Sequence, residues 1–479
     1  MIEKLQDLSL NKGKTMNYLN YTAKQVAEIC GGELIKSNEI SIKNVCIDSR
    51  KVEKGDLFVA LIGENHDAHK FIPMVVEKGA AAILVSSDNI GKTGDSAIIK
   101  VSDTLVALQQ IAKAKRKELK SFFIAVTGSN GKTTTRSMIT HIISGFDKCS
   151  TTTGNLNNHI GLPLTILGID SDSKYSVLEM GMNHPGEIRT LCNIATPDAA
   201  VISNVGPAHI GILGSLENIA KAKSEILEQL KPGSPAVLPG DSEYVELLKK
   251  VASKADYSTF GEKEGNDYRI TNLNMKTESI DFVFETPIGK KKVELNLAGH
   301  HNAFNAAAAL TLCHKIGCDL DKSIELLKSF VPVGARMERV NKDGIEILLD
   351  CYNANPASMQ EALRYLSICS GRKIAVLGDM RELGSMSDEL HRKLGQQAAA
   401  SNLDLLICVG EAVKNTVDSA IDKGMNPNSV ILVNSCEDTA DLLKGQMKKG
   451  VTVLFKASRG LHFEKIVHAL WPDLKMDLH

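Results

Sequence analysis

The sequence predicts an α/β protein of three domains: a small α/β module, a mainly parallel central sheet with helices, and a second, doubly wound sheet. Three observations carry this. The chain has 479 residues, well past the roughly 250–300 at which a single core stops growing. From Ser121 onward, short apolar runs that end in polar residues and glycine alternate with helical stretches, the rhythm of parallel strands joined by helices. That rhythm pauses in a segment that reads as antiparallel strands over 256–298, and it restarts beyond Pro332 and Gly334. The borders fall at 16–105, 106–332 and 333–479.

Taken in order, residues 1–15 are polar and patternless, which predicts a disordered extension or a start codon called too early. Between Tyr21 and Ser102 one short helix, "TAKQVAEICGG", is ended by its glycines, and the strand-like pieces "ISIKNVCIDSR", "GDLFVALIG" and "AAAILVSSD" follow. "SFFIAV" (121–126) runs straight into glycines and a Lys-Thr-rich helix, so it opens a strand, loop, helix unit. "YSVLEMG" and "DAAVISNVGP" repeat the pattern. "DYRITNLNMK", "IDFVFETPIGK" and "KKVELNLAG" read as antiparallel strands, with the helix "HNAFNAAAALTLCHKIG" behind them. The last domain supplies "IEILLDCY", "KIAVLGD", "LDLLICVG", "SVILVN" and "VTVLFKAS", alternating with helices in a Rossmann-like order.

Composition narrows the partners. A formal net charge of -1, with 43% hydrophobic and 24% charged residues, offers no electrostatic case for nucleic acid or an anionic membrane. No apolar stretch approaches the roughly 20 residues that span a bilayer, and the first residues lack the apolar core of a signal peptide. A cytoplasmic, monomeric protein acting on small molecules is expected. The ten cysteines are scattered, without a C-x-x-C pair or a His cluster at zinc spacing, so they are expected as reduced thiols. Cys351, beside Asp350, is the one with any prospect of touching a ligand.

The stretch "VTGSNGKTTTRS" (126–137) carries the chemistry. Strict G-x-x-x-x-G-K-[ST] spacing demands glycine at position 126, where this chain has Val126. If Val126 ends the buried strand and the loop starts at Thr127, the stretch is a shortened phosphate cradle. Gly128, Ser129, Asn130 and Gly131 let backbone N–H groups face an anion at a helix start. Lys132 then reaches phosphate oxygens, and Thr133 or Thr134 offers a hydroxyl to magnesium. Glu179 and His209 each stand just past a strand end in the same domain, where ligands of parallel sheets bind. Either residue alone reads as a surface glutamate or a capping histidine; beside a phosphate loop they read as metal ligands.

Periodicity singles out one more residue. At about 100° per residue, the helix "SLENIAKAKSEILEQL" gathers Leu216, Ile219, Ala220, Ile226, Leu227 and Leu230 in one stripe, with Lys223 near its middle. Lys221 falls on the opposite face with Glu217, Glu225 and Glu228. A lysine in an apolar stripe must snorkel, find a carboxylate or lose its charge, and the functional alternative is chemical modification or a place in the active site. Asp350, at the end of "IEILLD", suits a ribose or a plain cap, with Asn355 and Ser358 able to start the next helix. Arg336, in "GARMERV", suits either a terminal phosphate, reached from a mobile C-terminal domain, or a hinge salt bridge.

Together "TGSNGKTTT", "GNLNNHIGLPLTIL", "LEMGMNHPGEI", "NVGPAHIGILGSLENIAKAKSEIL", "GHHNAFNAAAA", "GARMERV", "DCYNANPASM" and "LGDMRELG" resemble the Mur ligase family, in order from about residue 22 to 466. The resemblance implies a UDP-sugar-binding domain over 16–105, a P-loop-type ATPase domain over 106–332 and a Rossmann-like ligase domain over 333–479. It implies a ligase that forms a carbon-nitrogen bond between UDP-N-acetylmuramoyl-tripeptide (UDP-MurNAc-tripeptide) and D-alanyl-D-alanine. ATP and two Mg2+ ions would serve it, with a carbamate on Lys223 helping to hold the second ion. Lys132 and Thr133 would hold phosphates and magnesium, Glu179 and His209 would ligate magnesium, Asn302 would contact adenine, Arg336 the terminal phosphate and Asp350 the ribose. Asn157 and His184 would lie near the peptide, and Ser49, Arg50 and Phe58 near the UDP group. The sequence departs from the family at Ala68 of Asp67-Ala68-His69, where glycine is usual, and at Cys351, where serine or threonine is usual. "NANP" stands where a diaminopimelate-adding relative has D-N-P-R, which ranks that activity lower. Other amide ligases, such as a UDP-MurNAc-dipeptide ligase or a folylpolyglutamate synthase-like enzyme, and a nucleotide-binding scaffold without turnover are the alternatives.

Overall fold

The computed structural model describes residues 19–37, 39–88, 90–332 and 337–474. The extension expected over 1–15 lies outside the described residues, as does Arg336. Three sheets follow one another along the chain. The first holds β1 (Glu33–Lys36), β2 (Val45–Cys46), β3 (Leu57–Val59), β4 (Ala82–Val85) and β5 (Ala97–Lys100) in the order β1-β5-β4-β3-β2, parallel apart from β1 against β5. The helix Ala23–Cys30 starts at a reciprocal Thr22–Gln25 capping box and stops at Gly31, whose φ of 60° suits glycine. One helix was expected in this module; the structure adds Ile72–Glu77, which has proline in its first turn and is too short to show a helical period.

A continuous helix, Thr104–Glu118, leads from the first sheet to the second and runs across the expected 105/106 border. Arg116 near its end lies 3.8 Å over the Phe123 ring and donates to Ala195 O at 2.7 Å and Asp198 Oδ2 at 2.9 Å. It therefore fixes the entry to the central sheet from both sides of the chain.

That sheet holds β6 (Phe122–Thr127), β7 (Cys149–Thr151), β8 (Tyr175–Glu179), β9 (Ala199–Ile202), β10 (Pro235–Pro239), β11 (Asp256–Gly261), β12 (Tyr268–Met275), β13 (Ile280–Thr286) and β14 (Gly289–Leu295). Their order is β14-β13-β12-β11-β10-β9-β6-β8-β7. The antiparallel reading of 256–298 is corrected at its start: β11 pairs parallel with β10 and β12, and only β12, β13 and β14 form an antiparallel meander. Strand β6 is buried on both faces. Phe123 and Ala125 join the core on one side, and Ile124 and Val126 join the core on the other, beside Met138, Ile139, Ile142 and Ile143 of the Lys132–Ser144 helix. The alanine-rich helix His300–Lys315 packs against that helix, its small side chains permitting close approach.

The third sheet orders β15 (Glu338–Lys342), β16 (Ile345–Asp350), β17 (Arg372–Gly378), β18 (Leu405–Val409), β19 (Val430–Val433) and β20 (Val451–Lys456) as β15-β16-β20-β17-β18-β19. All pairs are parallel except β15 with β16. Strand β15 has no apolar signature in the sequence because "ERVNK" is polar and half-exposed, as edge strands are. Among the described residues no helix is long and apolar enough to cross a membrane. All ten cysteines are free thiols; burial pushes Cys46 up to about 11 and Cys149 up to about 12, so they are poor nucleophiles.

Candidate active site

Strand β6 continues through Thr127, one residue past the border read from the sequence, because Thr127 stays in register with Ile202 of β9 and accepts from the Ser203 N–H at 2.8 Å; its hydroxyl donates to Met180 O at 2.8 Å. The loop proper begins at Gly128. A Cβ there would stand 1.9 Å from Ser203 Oγ, and one at Gly131, where φ is 73°, would stand 2.2 Å from Asn305 Oδ1. Both glycines are thus required by neighbours that sequence reading missed. Ser203 Oγ donates to Asn130 O at 2.6 Å, the Asn130 N–H donates to Asn204 Oδ1 at 2.8 Å, and Ser129 Oγ donates to Gly206 O at 2.7 Å. The segment after β9 staples the loop in place. The helix Lys132–Ser144 starts with no side-chain cap, which leaves its first N–H groups and dipole for an anion. Lys132 Nζ folds back onto Gly128 O at 2.8 Å and Ser129 O at 3.3 Å. Thr134 is half-buried in the same first turn.

Glu179 is buried at the end of β8, next to β6. Thr133 Oγ1 donates to its Oε2 at 2.8 Å and Asn157 Nδ2 donates to its Oε1 at 2.7 Å. The Arg136 guanidinium lies 3.8 Å away, itself buried and bound to Thr152 O. Arg136 closes the quoted motif and sets a buried guanidinium beside the buried carboxylate, a pairing that the hydroxyls of the motif do not announce. Asn157, expected beside a peptide, is engaged with Glu179, and His184 is exposed, with Nδ1 3.2 Å from Glu187 Oε1. His209 follows β9 on the other flank of β6. Its φ is 61°, and its Nδ1 faces Glu382 Oε2 of the C-terminal domain at 2.6 Å.

Lys223 is 2% exposed in the helix Leu216–Glu228. Its stripe is buried as periodicity predicted, and among the described residues no carboxylate pairs with it. Burial, aided by the nearby charge of Lys132, pushes its ammonium well below the ordinary lysine range. Lys221 is exposed and pairs with Glu217 at 2.7 Å. Glu225 corrects the expected grouping: rather than sharing that outer face, it is buried and accepts from the Gly186 N–H at 2.7 Å and the Arg189 N–H at 3.0 Å. It caps the helix Glu187–Ala195, whose own N-cap is Gly186. Glu228 is exposed, as expected, and meets Arg189 at 2.8 Å.

Asn302 is buried at the head of the alanine-rich helix. It accepts from Asn305 Nδ2 at 3.1 Å, and Asn305 accepts from Thr135 at 3.2 Å. It therefore joins the loop's surroundings. Asp350 ends β16 as expected, but it is paired with Lys456 Nζ at 2.5 Å. Asn355 forms the capping box with Ser358 and also donates to Asn130 Oδ1 at 2.6 Å. The C-terminal domain thus touches the phosphate loop directly. Cys351 is buried and donates to Phe455 O at 3.5 Å.

In the first module Ser49 is buried, and Arg50 holds Asp48 at 2.9 Å in an exposed turn. Phe58 corrects the expectation of a ligand contact: it is 0% exposed, packed with Ile72, Val75 and Ile83, because its strand is covered on both faces.

Among the described residues no three His, Cys, Asp or Glu side chains cluster as a metal site. The donors near the loop are instead a hydroxyl on a buried carboxylate, and an imidazole whose Nε2 makes no hydrogen bond among the described residues. They fit a cation that keeps water and phosphate oxygens in its shell, as magnesium does.

Comparison with known proteins gives three matches to family models: the Mur ligase middle domain over 126–313, the Mur ligase glutamate ligase domain over 335–459, and the Mur ligase family catalytic domain over 41–116. A UDP-N-acetylmuramoyl-tripeptide--D-alanyl-D-alanine ligase of Bacillus subtilis is 36% identical over 458 residues, 94% of this chain and 98% of its own. A crystal structure of MurF from Acinetobacter baumannii superposes with a TM-score of 0.88 at 31% identity, covering 95% of this chain and 99% of that one. MurF ligase from Thermotoga maritima in complex with ADP gives a TM-score of 0.80 at 31% identity, covering 90% and 98%.

Proposed function

The chain belongs to the Mur ligase family, and from that premise we infer that it joins D-alanyl-D-alanine to UDP-MurNAc-tripeptide at the expense of ATP. The product is the UDP-MurNAc-pentapeptide of peptidoglycan precursor synthesis, with ADP and phosphate. One observation carries the reading: a shortened phosphate loop bonds Thr133 to buried Glu179, with a buried lysine, Lys223, that has no carboxylate partner among the described residues and is near enough to feel the charge on Lys132.

The tripeptide carboxylate attacks the γ-phosphate of ATP, giving an acyl phosphate and ADP; the dipeptide amine then attacks the acyl carbon and phosphate leaves. No protein nucleophile is required, so the residues bind and orient. The N–H groups of Gly128 to Lys132 receive phosphate oxygens. Lys132 exchanges its two carbonyl partners for phosphate, a gain because a charge-assisted bond is stronger. Thr133, Glu179 and His209 would hold magnesium, which when bound neutralises charge on the phosphate oxygens. Arg136, 3.8 Å from Glu179, places a positive charge beside that carboxylate. Lys223, buried with its ammonium form disfavoured, is suited to take up CO2 as a carbamate with release of a proton, which puts an anion able to hold a second ion where a cation is costly. Asn302 and Asp350 would meet adenine and ribose, with Asp350 sharing itself between ribose and Lys456, and Arg336 would meet the terminal phosphate. Ser49 and Arg50 remain the residues proposed for UDP, and Asn157 and His184 for the peptide.

The deciding assay supplies ATP, magnesium, UDP-MurNAc-tripeptide and D-alanyl-D-alanine and follows ADP together with the pentapeptide. Equal release of both, dependent on the dipeptide, is expected. ADP release that ignores the dipeptide would contradict the reading.

A further inference from the structure

The contact between His209 and Glu382 is built from both sides. On the C-terminal side, Glu382 has a φ of 64°, a left-handed conformation uncommon away from glycine, asparagine and aspartate. Its loop is held rigidly from below. The Met380 N–H donates to His391 Nε2 at 3.1 Å, His391 Nδ1 bonds Ser387 O at 2.8 Å, and the Arg381 N–H donates to Ser458 Oγ at 2.9 Å. On the central side, His209 is also left-handed, with a φ of 61°. Such outliers persist where surroundings over-determine them, and they concentrate at functional sites.

Two backbone contacts clamp the pair. The Gly211 N–H donates to Glu382 O at 2.9 Å. Gly211 also lies so close to the opposing loop that a Cβ on it would stand 2.3 Å from Gly384 N. The imidazole Nδ1 is buried and 2.6 Å from Glu382 Oε2, close enough to bond but not aligned as a hydrogen bond, a geometry that tightens when a site fills. The Nε2 atom makes no hydrogen bond among the described residues either.

We propose that Glu382 is a positioning residue of the active site: it accepts the Nδ1 proton of His209, fixes the imidazole in that tautomer, and so presents the Nε2 lone pair to the divalent cation. This rests on the reading of His209 as a cation donor. Metal-binding histidines commonly give their second ring N–H to a carboxylate, which sets the tautomer and raises ligand basicity. Here the carboxylate belongs to a different domain from its histidine. Seating of the C-terminal domain therefore completes the cation site, and the Asn355–Asn130 amide pair reports the same seating at the phosphate loop. Metal affinity and domain docking become one equilibrium, so that each favours the other.

The test uses the full chain with ADP and Mn2+ as the probe, followed by electron paramagnetic resonance, alongside histidine tautomers read by 15N NMR. Glu382→Ala is expected to weaken Mn2+ about tenfold or more and to shift His209 from the Nδ1–H to the Nε2–H form. Glu382→Gln keeps an acceptor and is expected to retain the Nδ1–H form with a smaller loss of affinity. His209→Ala should lose as much Mn2+ affinity as Glu382→Ala, and the double variant no more than His209→Ala alone. An unchanged tautomer in Glu382→Ala, or additive losses in the double variant, overturns the proposal while leaving His209 a ligand. Unchanged Mn2+ affinity in His209→Ala overturns the underlying reading instead.

Discussion

Lys223 in the central domain and Lys456 in the C-terminal domain are buried alike, at 2% and 1% exposure, yet their surroundings differ. Lys456 reaches Asp350 Oδ2 at 2.5 Å and Asn353 O at 3.1 Å. Lys223 is buried where the charge that acts on it is that of a second lysine, Lys132, and burial first, then that charge, disfavours its ammonium form. Burying an ammonium is costly in either place. In the C-terminal domain a carboxylate offsets the cost, and in the central domain the fold leaves it standing. An unrelieved cost beside a phosphate loop marks a group kept for chemistry rather than for stability.

The largest expected effect strikes the unpaired member. Lys223→Ala should reduce kcat by about 10²–10³-fold, the scale of a lost transition-state contact, and a short carboxylic acid added to the assay should restore part of it; steady-state ADP release measures both. A full-activity Lys223→Ala enzyme would erase the contrast. For the paired member the effect falls on stability. Lys456→Met strands Asp350 and should destabilise the C-terminal domain by about 3 kcal/mol, while Asp350→Asn in the same chain recovers most of that, as read by denaturant unfolding.

Glu225→Gln should cost about 1–2 kcal/mol through the weakened cap on the Glu187–Ala195 helix, a loss measurable by thermal unfolding. Lys223→Met should stabilise the resting protein by about 1 kcal/mol. The pH dependence gives the sign. The folded chain holds Lys223 below its ordinary 10.5, so between the folded value and 10.5 the unfolded chain binds the extra proton. Stability from this group then rises with pH across that window, and Lys223→Met flattens the rise. The smallest effect belongs to Lys221→Ala, whose exposed pair with Glu217 should change stability by less than about 0.5 kcal/mol and leave turnover intact.

Lys223 was legible in the sequence because a helix period assigns a face without knowledge of any partner. Glu225 was misread by the same rule. It sits about 180° from Leu216, but a second helix packs on that side and draws it in as a cap. The strands β6, β8 and β9 were legible as apolar runs ending in polar residues and glycine, though not their order, whereas β15 and the Ile72–Glu77 helix were too polar or too short to show a period. Gly128 and Gly131 were read as loop glycines from their spacing, while the reasons for them, Ser203 and Asn305, lie 75 and 174 positions along the chain and carry no local signal. Phe58 was placed at a ligand because its motif resembles a binding segment, but its strand buries it. Glu382 lies within the quoted "LGDMRELG", but its role carried no local signal, since its partner lies across a domain boundary that only folding brings together.

The most direct measurement is 13C NMR of the protein equilibrated with 13C-bicarbonate. A carbamate carbonyl signal is expected in the wild-type chain; it survives Lys221→Ala and Lys456→Met and disappears in Lys223→Ala. A spectrum without that signal, or one in which it persists when Lys223 is replaced, would contradict a carbamate on Lys223.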